Sequence, residues 1–307
     1  MPSNTKEIRT RIKSVENTQK VTRSMKLIAT IKLKQVQNAY HANHIYYDHF
    51  NHLFQRLISR LDLHSDREHW IFDSLKLSKD KDKKTDSKKV VLILLSSDRG
   101  LCGAYNAQLF KAFKQKLDQI KSDQVTVIPI GKKAVLHLHK NYPKLKTVGA
   151  MSNLSSIPSF DEADHVAQLL RELAPDYQEM QIIQNRYHSS VRVLVESKKI
   201  WSLEQVISTE IGRQSDRLHE RSRELLLEPN ALELVENLLP FYFKNLILEA
   251  MLTAKAGELA MRVNAMTAAT DNAKALIETL KLSFNKARQA NITQEISEIV
   301  AGASSVL

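Results

Sequence analysis

The sequence predicts an α/β protein in which a long antiparallel coiled coil, formed by the N- and C-terminal helices, flanks a central globular α/β domain. Three observations predict it. Glycine and proline, both poor inside helices, are absent from Ser3 to Arg99 and reduce to Gly257 and Gly302 after Phe241, whereas five glycines and six prolines fall in between. Apolar residues recur with a 4,3 spacing in both outer parts. The middle alternates short apolar runs with amphipathic stretches.

The first helix, assigned to residues 1–70, opens on a possible capping box, Asn4 with Glu7, which would satisfy backbone N–H groups at the helix start. From Ile8 the 4,3 series continues through Ile12, Val15, Gln19, Thr22, Lys26, Ala29, Leu33, Val36, Tyr40, Asn43, Tyr47, Phe50, Phe54, Leu57 and Leu61. A sustained repeat of about 3.5 residues means a helix supercoiled around a partner helix. A solvated, lysine-rich linker is assigned to residues 71–89, its charge concentrated in "KLSKDKDKKTDSKK" from Lys76 to Lys89.

The central domain is assigned to residues 90–208. "VVLILLS", Val90 to Ser96, is a continuous apolar run, as expected of a strand buried on both faces. Helices near Ala104–Ile120, Lys132–His139 and Asp161–Leu173 alternate with strands at Val125–Ile130, Gln181–Tyr187 and Val191–Trp201, a Rossmann-like order. The turn "SSDRGLCGAYN", Ser96 to Asn106, is either a tight structural turn or a phosphate-binding one, although it carries neither the G-x-G-x-x-G pattern nor a Gly-Lys-Ser/Thr ending. Cys102 within it reads as a small packing residue or as a reactive thiol near a helix start. His44, Asp48 and His52 stand one turn apart, so they form either a solvated helix face or a metal-binding trio.

A loop or foot is assigned to residues 209–228 and the second coiled-coil helix to 229–307, after a second capping box, Asn230 with Glu233. Pro240 either kinks this helix or occupies the first turn of a new one. The series then runs through Leu259, Val263, Met266, Thr270, Ala273, Ile277, Leu280, Phe284, Ala287 and Asn291, which matches the first helix in period. Ile292, Ile296 and Ile299 lie beyond that seam and imply a second apolar surface, covered by other chains.

Composition narrows the function classes. An apolar share of 43% excludes general disorder, and no apolar run is long enough to cross a bilayer. Cys102 is the sole cysteine, so no intrachain disulfide forms. The start "MPSNTKEIRT" has neither the apolar core of a signal peptide nor a transit-peptide composition, and reads as mature cytoplasmic sequence. The net charge of +11 is concentrated at the front: nine basic residues stand against Glu7 and Glu16 between Lys6 and Lys34. Such a stretch suits a solvated face, acidic protein loops or nucleic acid, although aromatic residues are absent until Tyr40. No constellation of nucleophile, base and acid stands out, and no cofactor is expected. The rival classes are a basic coiled-coil nucleic-acid-binding protein and a nucleotide-binding enzyme built on the middle domain.

Three stretches, in order along the chain, then resemble one family. "RVNAMTAATDNAKALIETLKLSFNKARQANITQEISEIVAGA", Arg262 to Ala303, closely resembles the C-terminal helix of the gamma subunits of F-type ATP synthases. "IRTRIKSVENTQKVTRSMKLIATIKLKQVQ" resembles their N-terminal helix, and "SSDRGLCGAYN" their first strand-to-helix turn. The resemblance implies a central-stalk rotor, one copy per complex, without an active site of its own. Its shaft would turn inside a hexamer of alpha and beta subunits, and its α/β domain would sit with the epsilon subunit on the membrane c-ring. It further implies that acidic beta-subunit loops meet Arg23, Met25 and Lys26, that Arg288 and Gln289 hold a beta-subunit loop, and that Glu228 in "LLLEPN" contacts the ring. A chloroplast-type cysteine-bearing insert is missing, which favours a bacterial enzyme, peripheral on the cytoplasmic face of the inner membrane. Ile28, Thr30 and Ile31 depart from the family pattern, which more often has valine and small residues there.

Overall fold

The computed structural model describes residues 3–58, 89–120, 124–173, 177, 179–201 and 227–304. Most of the expected linker (71–88) and of the expected foot (209–226) lies outside the described residues, as does Leu61. The chain divides into two compact units: residues 1–31 with 262–307, and residues 32–261.

In the second unit, β1 (Val90–Leu95), α2 (Tyr105–Leu117), β2 (Val125–Ile130), α3 (Lys132–Asn141), β3 (Lys146–Thr147), α4 (Phe160–Leu173), β4 (Glu179–Tyr187) and β5 (Val193–Trp201) follow in order. They form a five-stranded sheet of order β3-β2-β1-β4-β5. β1 runs parallel to β2 (Val90 opposite Val125) and to β4 (Val90 opposite Glu179), while β5 returns antiparallel on the edge. Every residue of β1 and β2 is buried, which explains their unbroken apolar reading. The strands and helices expected from sequence appear within a few residues of their expected ends. The two-residue edge strand β3 was not expected; it is too short to leave a period.

Right-handed crossovers place α2 and α3 on one face of the sheet and α4 on the other, because β1 to β2 to β3 steps one way and β3 to β4 steps back. The first face packs Leu109, Phe113 and Leu117 of α2 and Ala134 and Leu138 of α3 against Val90, Leu92, Leu94, Val125 and Val127. Ala163, Val166, Ala167 and Leu170 of α4 are buried as well. The strand order reverses beside β1, so the turn after β1 lies at the topological switch point.

α1 (Ser3–Ile58) and α5 (Ala231–Ser304) are the two terminal helices. α1 begins at Ser3, so Asn4 falls inside its first turn rather than at the cap position. At the start of α5 the Asn230 side chain accepts the Glu233 N–H at 2.8 Å, one half of the expected box. α5 continues through Pro240 as a single helix.

Within the second unit the two helices run antiparallel: Asn43 meets Glu249, and further along α1 Phe54 stacks on Tyr242, further back along α5, with centroids 4.5 Å apart. Leu33, Val36, Phe54 and Leu57 are buried there, all of them 4,3 positions. α5 is anchored to the α/β part where the Tyr105 hydroxyl donates to the Ala254 carbonyl at 3.0 Å. Gly257 stands one turn on, so close that a Cβ would lie 3.0 Å from the Asn185 carbonyl oxygen.

In the first unit the seam follows the series as well. Past Met266, the residues of α5 shielded from solvent are few, and Ala273, Ile277, Leu280, Phe284, Ala287 and Asn291 are among them. On α1, Ile8, Ile12, Val15, Gln19, Thr22, Lys26 and Ala29 are partly or fully covered. Thr270 donates its hydroxyl hydrogen to the Thr22 hydroxyl at 2.9 Å, pairing two polar seam residues.

Candidate functional site

No helix among the described residues is long and apolar enough to cross a membrane, and no cluster of three or more His, Cys, Asp or Glu there is placed to hold a metal ion. The turn Ser96–Asn106 spends its polar groups on its own architecture. Asp98 accepts the Lys132 N–H at 2.8 Å and the Asn153 N–H at 3.0 Å on one oxygen, and the Leu154 N–H at 2.8 Å on the other. The carboxylate thus occupies the N-terminus of α3, where a phosphate would otherwise be favoured. Ser96 Oγ accepts the Ala134 N–H at 2.7 Å, and the Asn106 amide donates to Ser97 Oγ at 2.7 Å and to the buried Cys102 sulfur at 3.4 Å. Cys102 therefore packs inside the turn. Leu101 and Gly103 both take positive φ, 61° and 60°, so the loop turns sharply between strand and helix.

The histidine trio separates by environment. His44 Nδ1 donates to Glu249 at 3.0 Å, Asn43 donates to the other Glu249 oxygen at 3.1 Å, and Asp48 lies 3.5 Å from His44 Nε2. Tyr40 stacks on His44, and its hydroxyl is held above the ordinary phenol range by burial first and by the Glu249 charge second. His52 is exposed and takes no part. Glu249 was not anticipated from sequence. A lone acid within the apolar stretch "NLILEAML" is the signal that could have found it, because a carboxylate that leaves water needs donors.

The residues expected to meet other chains fall in three places. Arg23 is exposed, Met25 is 38% exposed, and Lys26 sits on the seam with its stem partly covered. Lys26 is thus shared between seam and surface, because its long aliphatic stem can lie along the coil while the ammonium reaches water. Around Met25, Val21, Leu27, Ile28 and Ile31 are each more than half exposed, an apolar outer stripe beside basic residues. Arg288 and Gln289 are exposed at the far end of the pair. With Thr22 facing Thr270, counting back to Ser3 on α1 and equally far forward on α5 reaches Gln289, so Arg288 and Gln289 lie level with the first described turn of α1. The Arg23–Lys26 group and the Arg288–Gln289 pair are not brought together; they lie about 28 Å apart along the coil. On the last turns of α5, Ile292, Ile296, Ile299 and Val300 are 47–71% exposed. Glu228 is exposed just ahead of the Asn230 cap of α5.

A profile of the family described as ATP synthase matches residues 4–306. The ATP synthase gamma chain of a Synechococcus species is 35% identical over 327 residues, covering 99% of this chain and 100% of that one. The ATP synthase gamma chain of Flavobacterium psychrophilum is 34% identical over 309 residues, with 99% of each chain covered. Among solved structures, a chain of the Euglena gracilis mitochondrial ATP synthase (OSCP/F1/c-ring, rotational state 3) superimposes with a TM-score of 0.67 at 17% identity, covering 100% of this chain and 95% of that one. A rotor chain of the same organism's enzyme in rotational state 1 gives a TM-score of 0.63 at 16% identity, covering 95% and 100%. The structural matches establish a shared fold, and the sequence matches, which run end to end, establish descent: the chain belongs to the ATP synthase gamma-chain family.

Proposed function

We propose that this chain is the central-stalk rotor of an F-type ATP synthase, one copy per complex, turning inside a hexamer of alpha and beta subunits and coupling ion flow to ATP synthesis or hydrolysis. The observation that carries the reading is the apolar surface on the last turns of α5, where Ile292, Ile296 and Ile299 stand in water. An exposed apolar stripe of this kind needs a sleeve from other chains. As an asymmetric rod turns, it offers each surrounding subunit a different face, and differential contact shifts that subunit between open and closed states.

In this reading Arg23, Met25 and Lys26 meet acidic beta-subunit loops, Arg288 and Gln289 hold a beta-subunit loop near the tip, and Glu228 contacts the c-ring. The α/β domain binds the epsilon subunit. The chain has no active site of its own: catalysis belongs to the surrounding subunits, and the rotor supplies only the sequence of their conformations. It sits peripherally on the cytoplasmic face of a bacterial inner membrane. Family membership gives no support to the alternative of a nucleic-acid-binding coiled coil.

Affinity purification of the tagged chain from its own cells, with stoichiometry by mass spectrometry, tests the reading. Alpha and beta subunits at three copies each per tagged chain are expected, as in an alternating hexamer around one rod. Recovery of the chain without them, under conditions that preserve the complex, would refute it.

A further inference from the structure

α2 and α3 together contain six lysines and not a single aspartate or glutamate. They lie side by side on one face of the sheet, where Phe110 stacks on His137 with centroids 3.9 Å apart. Burial under that ring holds the His137 imidazole below its ordinary range, so the charge of this face comes from its lysines. Lys111, Lys114, Lys132 and Lys140 are exposed, and Lys144 and Lys146 extend the same basic run just beyond α3. The opposite layer has the reverse sign: α4 carries Asp161, Glu162, Asp164 and Glu172 against Arg171.

From these features we infer that the α2–α3 face is a docking surface for an anionic lipid membrane. Three points favour lipid over protein or nucleic acid. The first is residue choice, since no arginine occurs between Arg99 and Arg171. Protein interfaces favour arginine over lysine because its fork binds carboxylates in two places, whereas lysine ammoniums suit a diffuse anionic surface. The second is the shortage of open aromatic faces: Phe110 and Tyr142 pack against the core and are only partly exposed, which leaves bases little to stack on. The third is Leu136, 53% exposed on α3, one turn from Lys132 on one side and from Lys140 on the other. An aliphatic side chain flanked by ammoniums suits the boundary between headgroups and acyl chains.

The two-sided charge makes this docking directional, because an anionic plane attracts the α2–α3 face and repels α4. Diffuse attraction to a fluid surface has no preferred azimuth, so it would hold a turning body near the membrane without stopping its rotation. The inference rests on the central-stalk reading only in placing a membrane within reach; the charge distribution stands without it.

The test is co-sedimentation of the full-length chain with vesicles of phosphatidylcholine alone or mixed with phosphatidylglycerol, at low and high salt. One variant carries Lys111→Glu, Lys114→Glu, Lys140→Glu and Lys144→Glu. A control reverses as many charges on the other basic stretch, with Lys6→Glu, Arg9→Glu, Arg11→Glu and Lys13→Glu. Each lysine near an anionic surface contributes about a fivefold gain in affinity, so the first variant is expected to lose more than about a hundredfold. The control should keep most of the binding, and high salt should abolish it in every form. If the glutamates impair folding, judged by helical circular dichroism and melting, the corresponding Lys→Gln variant takes their place with the same readout. Equal binding to both vesicle types, wild-type binding by the first variant, or loss confined to the control would each overturn the inference. So would tighter binding to single-stranded DNA than to vesicles at the same salt, which would assign the face to nucleic acid. None of these outcomes bears on subunit stoichiometry, so the central-stalk reading stands or falls separately.

Discussion

Replacing Gly257 with alanine sets two known effects against each other at the point where α5 meets the sheet. Glycine inside a helix costs about 1 kcal/mol relative to alanine, so on propensity alone Gly257→Ala should stabilise the protein. The structure opposes this. A Cβ at Gly257 would stand 3.0 Å from the Asn185 carbonyl oxygen, 3.1 Å from Val193 Cγ1 and 3.7 Å from Tyr105 Cε2. The first of these is backbone in the interior of β4, so no rotamer change can relieve it, and helix and sheet must separate by a few tenths of an ångström. Tyr105 cannot yield readily either, since its hydroxyl is tied to Ala254 and its backbone carbonyl accepts the Asn185 amide at 3.0 Å. Overpacking of this kind costs about 1–3 kcal/mol, which leaves a net destabilisation of about 0–2 kcal/mol after the propensity gain. Gly257→Leu, which has the same propensity advantage but three more carbons to place, should cost markedly more. Urea unfolding of the full-length chain, followed by circular dichroism, reads both variants. Stabilisation of about 1 kcal/mol in the alanine variant would mean that propensity wins and that α5 is not in close contact with the sheet at this point.

The other predictions test the seam, the turn and the partner surfaces. Ile277 is 7% exposed and Leu280 only half-covered, so Ile277→Ala should cost about 2–5 kcal/mol and Leu280→Ala distinctly less, both read in the assembled complex; equal losses would mean that the seam is placed wrongly. Asp98→Ala removes the acceptor for three backbone N–H groups and should destabilise the chain by about 2 kcal/mol or more, with Asp98→Asn recovering part of it; a neutral alanine variant would show that water replaces the carboxylate. Glu228→Lys should release the soluble sector from membranes while leaving its ATP hydrolysis intact, and equal retention on stripped membranes would remove Glu228 from the ring contact. Arg288→Ala with Gln289→Ala should slow ATP turnover by about one to two decades at full assembly, the worth of a charged hydrogen bond made in only one rotor orientation; unchanged turnover would show that the pair does not hold a loop.

The elements and the seam were legible in the order of the residues alone. A helical period survives translation into structure because burial is set by which face meets a partner, and every described position of both 4,3 series is at least partly covered. The apolar runs of β1 and β2 likewise admitted one interpretation, since strands covered on both sides leave no polar face to show. The partner surface was legible only through family resemblance, because an exposed side chain leaves no periodic trace and its chemistry depends on what approaches it. What tertiary structure alone decided were the pairings distant in sequence. Asp98 capping three N–H groups, Glu249 gathering Asn43 and His44, and Gly257 lying against β4 each join residues tens to hundreds of positions apart. Tertiary structure also set the register of the two helices: Thr22 meets Thr270 across the seam, and Ile292, Ile296 and Ile299 stay exposed outside it. Period says that a helix needs a neighbour, but only the packing between two chain segments sets the register in which they meet.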